Sequence, residues 1–241
     1  MKTGLITHQD CLHHKTPPGH PEQIARLEYI LEALQSVDLL RIDAPLASHN
    51  DLLRVHLQSH IEHIIKSLPQ SGYCSIDGDT HMSSGSYTAA LRAVGGVLQA
   101  VDMVMAKSVQ NAFVATRPPG HHAERNKAMG FCFFGNAAIG AKYALENHGL
   151  ERVAVVDFDV HHGNGTQDLL WDEKGSLFIT SHQSPLWPGT GSLDETGAYE
   201  NIVNIPLPPH SDGKDMRIAY ERLAFPKLEA FEPELIVISA G

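Results

Sequence analysis

Asp157, Asp159 and His161 stand at alternate positions in the run DFDVHHGNG, directly after the apolar stretch Val153 to Val156. If that stretch is a strand and the backbone stays extended past its end, the three side chains project to one side. A carboxylate oxygen and an imidazole nitrogen, at about 2.0–2.2 Å from the metal, suit Zn²⁺, and a catalytic zinc usually takes three protein ligands and keeps one position open for water. The run offers two such ligands, three at most. Gly163 and Gly165 are expected to let the backbone turn sharply just past them. The competing reading makes Asp157 a turn cap and the histidines surface hydrogen-bonders. So many ligand-type residues directly after a buried strand favour the metal.

A second run, RPPGHHA from Arg117 to Ala123, follows the apolar stretch Ala112 to Thr116. Pro118 and Pro119 stiffen it, and Gly120 permits a tight turn before His121 and His122. Amide hydrolysis needs a base for the attacking water and an acid for the leaving amine, and histidine titrates in the useful range. A carboxylate beside one imidazole would favour the acid role, and a neutral partner would leave the other more basic. Asp157 and Asn164 are candidates for those partners. The alternative is a loop pair making structural hydrogen bonds.

The elements that must position these runs can be read from the pattern. Thr3 to Thr7, Ala112 to Thr116, Val153 to Val156, Leu177 to Ser181, Ile202 to Ile205 and Leu235 to Ser239 are short apolar runs that end in polar or glycine-rich residues, as buried parallel strands do. Helical patterns lie between them at Pro21 to Leu34, Ser86 to Met105, Asn136 to Asn147 and Met216 to Phe231, with Ser86 and Asn136 as candidate N-caps. The alternation predicts an open parallel α/β sheet with helices on both faces and ligands beyond the carboxyl ends of the strands. No linker, repeat or low-complexity tract divides the 241 residues, so residues 1–241 are expected to form a single domain.

Composition excludes several function classes. The chain has 18 Lys and Arg against 28 Asp and Glu, a formal charge of -10 with no long block of either sign, so direct nucleic-acid binding is not expected. Cationic partners such as histone tails or polyamines would not be repelled. No signal peptide and no stretch of about 18 apolar residues is apparent, which predicts a cytoplasmic protein without a membrane partner. Cys11, Cys74 and Cys132 stand too far apart for a CxxC pair and are expected to be ordinary buried thiols. Histidine is the outlier, with 16 residues and adjacent pairs at His13-His14, His121-His122 and His161-His162.

Taken together, RPPGHHA, GFCFFGNAAIGA, DFDVHHGNGTQ and PGTG, in this order and spacing, resemble the histone deacetylase and acetylpolyamine amidohydrolase family from near His20 to Gly241. The resemblance implies an arginase-like α/β fold, a catalytic zinc, structural potassium, and removal of acyl groups from acetylated protein lysines, polyamines or other small amines. It implies that Asp159 and His161 ligate zinc, that His121 and His122 are the tandem catalytic histidines, and that Asp157 pairs with His121 and Asn164 with His122. Asn at 164 resembles the class II branch. Asp157 and Ser181 would help to hold potassium. Phe131, after Gly130, and Trp187, before Pro188, would wall the channel for the acyl-lysine stem, with Trp in place of the more usual Phe; core packing is their alternative role. Arg26 in HPEQIAR resembles the arginine at the floor of the acyl pocket, and Asp79 in DGDTH resembles the rim aspartate that holds substrate backbone.

The family's third zinc ligand, its oxyanion tyrosine and the last strands of its sheet would lie past Gly241, so the chain is expected to be C-terminally truncated and inactive as it stands. Two rivals follow. A two-manganese ureohydrolase would need a second carboxylate two residues after His161, where Gly163 stands. A non-catalytic acyl-lysine-binding module would not need the retained His121, His122, Asp159 and His161. Homo-oligomerisation is possible on this reading.

Overall fold

A computed structural model describes residues 2–240. The chain divides into two compact units, 1–140 and 141–241. In the first, strands β1 (Thr3–Thr7), β2 (Leu40–Asp43) and β5 (Asn111–Val114) form a parallel sheet in the order β2-β1-β5. Its helices are α1 (Ile24–Ala33), α2 (His49–Leu52), α3 (Gln58–Lys66) and α4 (Ser86–Met105), joined by a 3-10 turn at Gln9–His13 and a two-residue hairpin of β3 (Cys74–Ser75) and β4 (His81–Met82). Helix α5 (Asn136–His148) crosses from one unit into the next.

The period-two alternation of β1 decides what lies on each face. Leu5 packs with Cys11, Leu27 and Ala115 against Leu31 and Leu34 of the α1 region, whereas Ile6 packs with Ala44, Met103 and Val109 against Ala100 and Val104. Helices therefore cover both faces of this sheet, as expected of buried parallel strands. Helix α4 is long and apolar enough to cross a bilayer by length and composition. It is a core helix nonetheless: Ala89, Ala90, Ala93 and Val94 are buried, and Arg92 on its open side donates from Nε to Asp10 at 2.8 Å and from Nη1 to the Ala44 carbonyl at 2.7 Å.

In the second unit, β6 (Val153–Asp157), β7 (Ser176–Gln183), β8 (Ile202–Leu207) and β9 (Leu235–Ser239) make a parallel sheet in the order β8-β7-β6-β9. Helix α6 (Asn164–Leu170) follows β6; α7 (Gly213–Ala219), a π turn at Tyr220–Ala224 and α8 (Phe225–Phe231) lead to β9. Ala154, Leu177, Ile179, Ile205 and Ala224 form the core on the α7 and α8 side, with Leu228 and Phe231 against them.

The six expected strands and four expected helical stretches are present, the last broken into three pieces by the π turn, but β5 and β9, expected to be buried, alternate half-buried with exposed residues because each lies at the edge of its sheet. Two caps differ. Ser86 is the first residue inside α4; its hydroxyl accepts from the Ser83 amide at 2.7 Å instead of from the helix. Asn136 is likewise the first residue inside α5 and donates from Nδ2 to the Pro118 carbonyl at 3.3 Å. Capping boxes stand instead at α2, between Ser48 and Asp51, and at α7, where Asp212 accepts from the Lys214 and Asp215 amides and Asp215 accepts from the Asp212 amide. Cys11 and Cys132 are buried free thiols, and Cys74 is half-exposed.

Candidate active site

In the second unit β6 delivers Asp157 to the carboxyl edge of its sheet, and the alternation persists past the strand end. Asp157 is fully buried, Phe158 and Val160 are exposed, and Asp159 and His161 are half-buried. The three candidate ligands do not converge as one set. Asp157 instead works on the backbone, its Oδ1 accepting from the Asp159 amide at 3.0 Å. Asp159 and His161 do meet: Oδ1 of Asp159 accepts from the His161 amide at 2.7 Å and lies 3.1 Å from His161 Nδ1. Two ligands of a tetrahedral zinc, each at about 2.0–2.1 Å, stand about 3.3 Å apart. The pair fits two corners of such a site in spacing and in donor type. Among the described residues no cluster of three or more His, Cys, Asp or Glu side chains is arranged to hold a metal.

Gly163, at φ -75 and ψ 60, is the centre of a tight γ-type turn closed by the Asn164 amide on the His162 carbonyl at 2.9 Å, a conformation open to any residue. What the glycine adds is room. A Cβ there would stand 2.7 Å from Asp157 Oδ2 and 3.2 Å from the Phe178 ring. Gly165 lies inside α6. Asn164, the first residue of α6, is buried, its amide donating to the His162 carbonyl at 2.9 Å. Ser181 on β7 is buried beside the Asp157–Thr180 register, and its hydroxyl lies 3.1 Å from Tyr220 Oη. Burial, helped by the Asp157 charge and opposed by the Ser181 hydrogen bond, pushes the Tyr220 phenol up. Hydroxyl and carboxylate oxygens of this kind suit a hard cation.

Trp187 meets His161 edge-on, with ring planes 76° apart and centroids at 6.0 Å. It is 43% exposed, which leaves a face open to a ligand. The second histidine of the pair, His162, is buried: Nδ1 lies 2.7 Å from Thr190 Oγ1 and Nε2 lies 3.1 Å from Gln167 Oε1. Burial, then the nearby His182, pushes its pKa down to about 4.

In the first unit His121 and His122 lie on the loop after β5 with ring centroids 3.9 Å apart and planes tilted by 44°. His122 is buried and His121 half-buried. Gly120 is needed for close approach: a Cβ there would stand 2.7 Å from the Asn136 amide nitrogen and 2.8 Å from the Phe134 carbonyl oxygen, both backbone atoms that cannot swing aside.

Phe131 follows Gly130 with both residues in the left-handed region, at φ of 69 and 56. Its amide donates to Thr80 Oγ1 at 3.1 Å, and its ring meets His20 edge-on at 4.7 Å. A bulky residue held at positive φ is an outlier of the kind found at ligand clamps. His20 Nε2 donates to the Asp79 carbonyl at 2.8 Å, so Phe131 and Asp79 share one patch. Burial, then the adjoining Asp77 carboxyl, raises the Asp79 pKa; Asp77 itself is held low because hydrogen bonds from Thr80 and Asp79 outweigh its burial. Arg26 stands exposed on α1. The buried guanidinium of this unit is that of Arg117, which opens the RPPGHHA run and forms a two-pronged pair with the fully buried Glu22.

Three networks escaped the sequence reading: Arg117–Glu22–His14, the stacked pair His56–His60, and Thr190–His162–Gln167–Glu195. The first and third join distant segments, which no local spacing could reveal, whereas His56 and His60 stand four residues apart and only their burial was hidden. The excess of histidine was the available signal.

The family model for the histone deacetylase domain matches residues 20–241. A probable deacetylase of Archaeoglobus fulgidus is 37% identical over 250 residues, covering 100% of this chain and 69% of that protein. A histone deacetylase-like amidohydrolase of Pseudomonas aeruginosa is 39% identical over 231 residues, covering 92% of this chain and 60% of the other. Among solved structures, the crystal structure of the HDA15 HD domain superposes with a TM-score of 0.91 at 33% identity, over 99% of this chain and 73% of that one. The chain, with its parallel α/β sheets and its tandem histidines, belongs to the histone deacetylase domain family.

Proposed function

We propose that the protein is a zinc-dependent amidohydrolase that removes the acyl group from acetyl-lysine or an acetylated small amine. The single observation that carries the reading is the Asp159–His161 pair, two donors of the correct type 3.1 Å apart at a strand end, in a chain of this family. Asp159 and His161 would hold the zinc, which when bound polarises an acyl carbonyl and makes water acidic enough to ionise near neutral pH.

The remaining chemistry belongs to side chains. His121 and His122 handle the protons, one accepting from water and the other donating to the leaving amine. Asp157 and Asn164 are the partners that set those two imidazoles apart, the carboxylate favouring the protonated ring and the amide the neutral one. Phe131 and Trp187 present aromatic faces to the four-methylene stem of the substrate, and Asp79 accepts from its backbone. Asp157 and Ser181 contribute oxygens to a potassium ion. Arg26, exposed on α1, keeps the acyl-pocket role only if the substrate end reaches it. The acidic balance of the chain favours a cationic, acetylated partner in the cytoplasm.

The full-length protein that carries this domain should contain zinc and cleave an acetyl-lysine peptide. Asp159→Ala, and His121→Ala together with His122→Ala, should each lower kcat/KM at least a hundredfold. Turnover that survives both changes would overturn the reading, as would two manganese ions per chain. Peptide binding by zinc-loaded protein that never turns over would identify a binding module instead.

A further inference from the structure

We propose that Thr190, His162, Gln167 and Glu195 form a closed hydrogen-bond relay that sets the position of Trp187, and so makes Glu195 and Thr190 positioning residues for substrate binding. The proposal rests on the reading of Trp187 as a wall of the acyl-lysine channel.

The direction of each bond follows from the one group that can only accept. Glu195 takes hydrogen bonds from the Gly191 amide at 3.2 Å, from the Ser192 amide at 3.1 Å and from the Ser192 hydroxyl at 2.9 Å. These bonds, with one from Gln167, outweigh burial and hold its carboxyl below the usual range. Gln167 also reaches the carboxylate, and it must do so with Nε2. Its Oε1 is then the acceptor for Asn204 Nδ2 at 2.8 Å and for His162 Nε2 at 3.1 Å. His162 therefore carries its proton on Nε2 and presents the lone pair of Nδ1 to Thr190, whose hydroxyl donates at 2.7 Å. From Thr190 the loop returns to Gly191, whose amide closes the circuit on Glu195.

The loop needs such a tie. Gly189 and Gly191 both have positive φ, at 86 and 87, in a segment that follows Trp187 and Pro188 directly. Gly191 lies so close under two rings that a Cβ there would stand 2.6 Å from both His162 and His182, and its carbonyl accepts from His182 Nε2 at 3.1 Å. The loop is thus pinned by a ring of bonds at positions 190–195, and the exposed indole of Trp187 stands edge-on beside His161. The relay explains why the second histidine of DFDVHHGNG is buried and bonded on both nitrogens while the first lies beside Asp159. One histidine is available to metal, and its neighbour fixes the wall.

The experiment uses Thr190→Val, which keeps shape and deletes the hydroxyl, with Thr190→Ser as the rescue and Glu195→Gln as a second, independent break. In a Trp171→Phe background, Trp187 is the sole tryptophan, and acrylamide quenching of its fluorescence reads its mobility without any turnover. Thr190→Val and Glu195→Gln should each raise the quenching constant about twofold and raise KM for an acetyl-lysine peptide about tenfold, with kcat within twofold of the parent. Thr190→Ser should return both to parent values. Unchanged quenching in folded Thr190→Val and Glu195→Gln overturns the relay. A protein that never cleaves the peptide overturns the proposed function instead, and the quenching arm still decides the relay.

Discussion

Arg117 and Glu22 form a buried two-pronged ion pair, 95 residues apart in sequence, at the base of the loop that carries the tandem histidines. The pair is completed on both sides. Nη1 of Arg117 donates to the carbonyls of Cys11 at 3.3 Å and His14 at 3.0 Å, His14 Nε2 donates to Glu22 at 3.2 Å, and the Ser86 hydroxyl lies 2.7 Å from His14 Nδ1. Against burial that would raise it, the bonds from His14 and Arg117 bring the Glu22 pKa down to about 2. Removing one charge strands the other. Glu22→Gln should therefore destabilise the protein by roughly 3–5 kcal/mol, and Glu22→Gln with Arg117→Met should recover part of the loss. Denaturant unfolding of the two single variants and the double measures this. Additive losses would show that the pair contributes no coupling.

The pH dependence of that pair has a definite sign. The folded pKa lies below the unfolded one, so the contribution of Glu22 is fully present above about pH 4.5 and is lost as the pH falls toward 2. At neutral pH the clamp holds.

Gly163→Ala should act through Asp157. The added methyl would meet Asp157 Oδ2 at 2.7 Å, and Asp157 is fully buried, so the carboxylate must move with the Asp159 amide it holds. Overpacking of this kind costs about 1–3 kcal/mol, which a protein of this size survives. The variant is expected to fold, with zinc affinity reduced at least tenfold in a chelator competition. Affinity equal to that of the parent would show that Asp157 does not set the ligand geometry.

Much of this was legible because it is local. DFDVHHGNG follows the fully buried β6 and RPPGHHA the half-exposed β5, so period-two alternation and chain direction alone place their side chains at sheet ends. Strand β2 was not legible: Leu40–Asp43 has only one half-buried residue and three exposed ones, and its identity comes from pairing with β1. The turns at Gly120 and Gly163 were legible, whereas the need for glycine in them was not, because it comes from a neighbouring backbone or carboxylate that leaves no room for a side chain. Arg26 looked like the functional arginine because of its place in HPEQIAR. The structure leaves Arg26 exposed, and the guanidinium it buries is that of Arg117, whose partner Glu22 comes from a distant segment.

His56 and His60 provide a test by acid. They stack with centroids 4.7 Å apart. His56 Nε2 accepts from the Gly135 amide at 2.9 Å and its Nδ1 donates to the Glu124 carbonyl at 3.1 Å, while His60 Nε2 donates to the Phe133 carbonyl at 2.8 Å. Neither ring can take a proton without loss: protonated His56 would oppose the Gly135 donor. Burial, then the neighbouring His60, lowers the His56 pKa from 6.5 to about 3, with the carbonyls of Glu124 and Arg125 opposing the shift and the Arg125 charge adding to it; burial likewise lowers His60, with His63 adding a smaller effect. A base with a depressed folded pKa binds its proton more readily when unfolded, so stability falls as the pH drops below about 6.5 and continues to fall toward 3. At pH 5, His56 alone accounts for roughly 2 kcal/mol, or about 4–8 °C in Tm. His56→Gln, which can still accept from Gly135, should flatten the Tm profile between pH 7 and 5. Parallel profiles for parent and variant would assign the acid sensitivity elsewhere.

Phe131 supplies the last test, because its backbone and its side chain pull in opposite directions. At φ of 69 an L-residue with a Cβ pays a steric penalty that glycine does not, roughly 1 kcal/mol. Phe131→Ala deletes the ring and keeps the penalty, whereas Phe131→Gly deletes both. In an ordinary strand or helix the glycine variant would be the less stable of the two. Here Phe131→Gly should unfold at higher denaturant than Phe131→Ala by about 1 kcal/mol, while both lose the contact with His20 at 4.7 Å and raise KM for an acetyl-lysine peptide. If alanine proves the more stable, the left-handed backbone at Phe131 carries no strain. If the order is as expected but KM is unchanged, the strain is real and the ring is no wall of the channel.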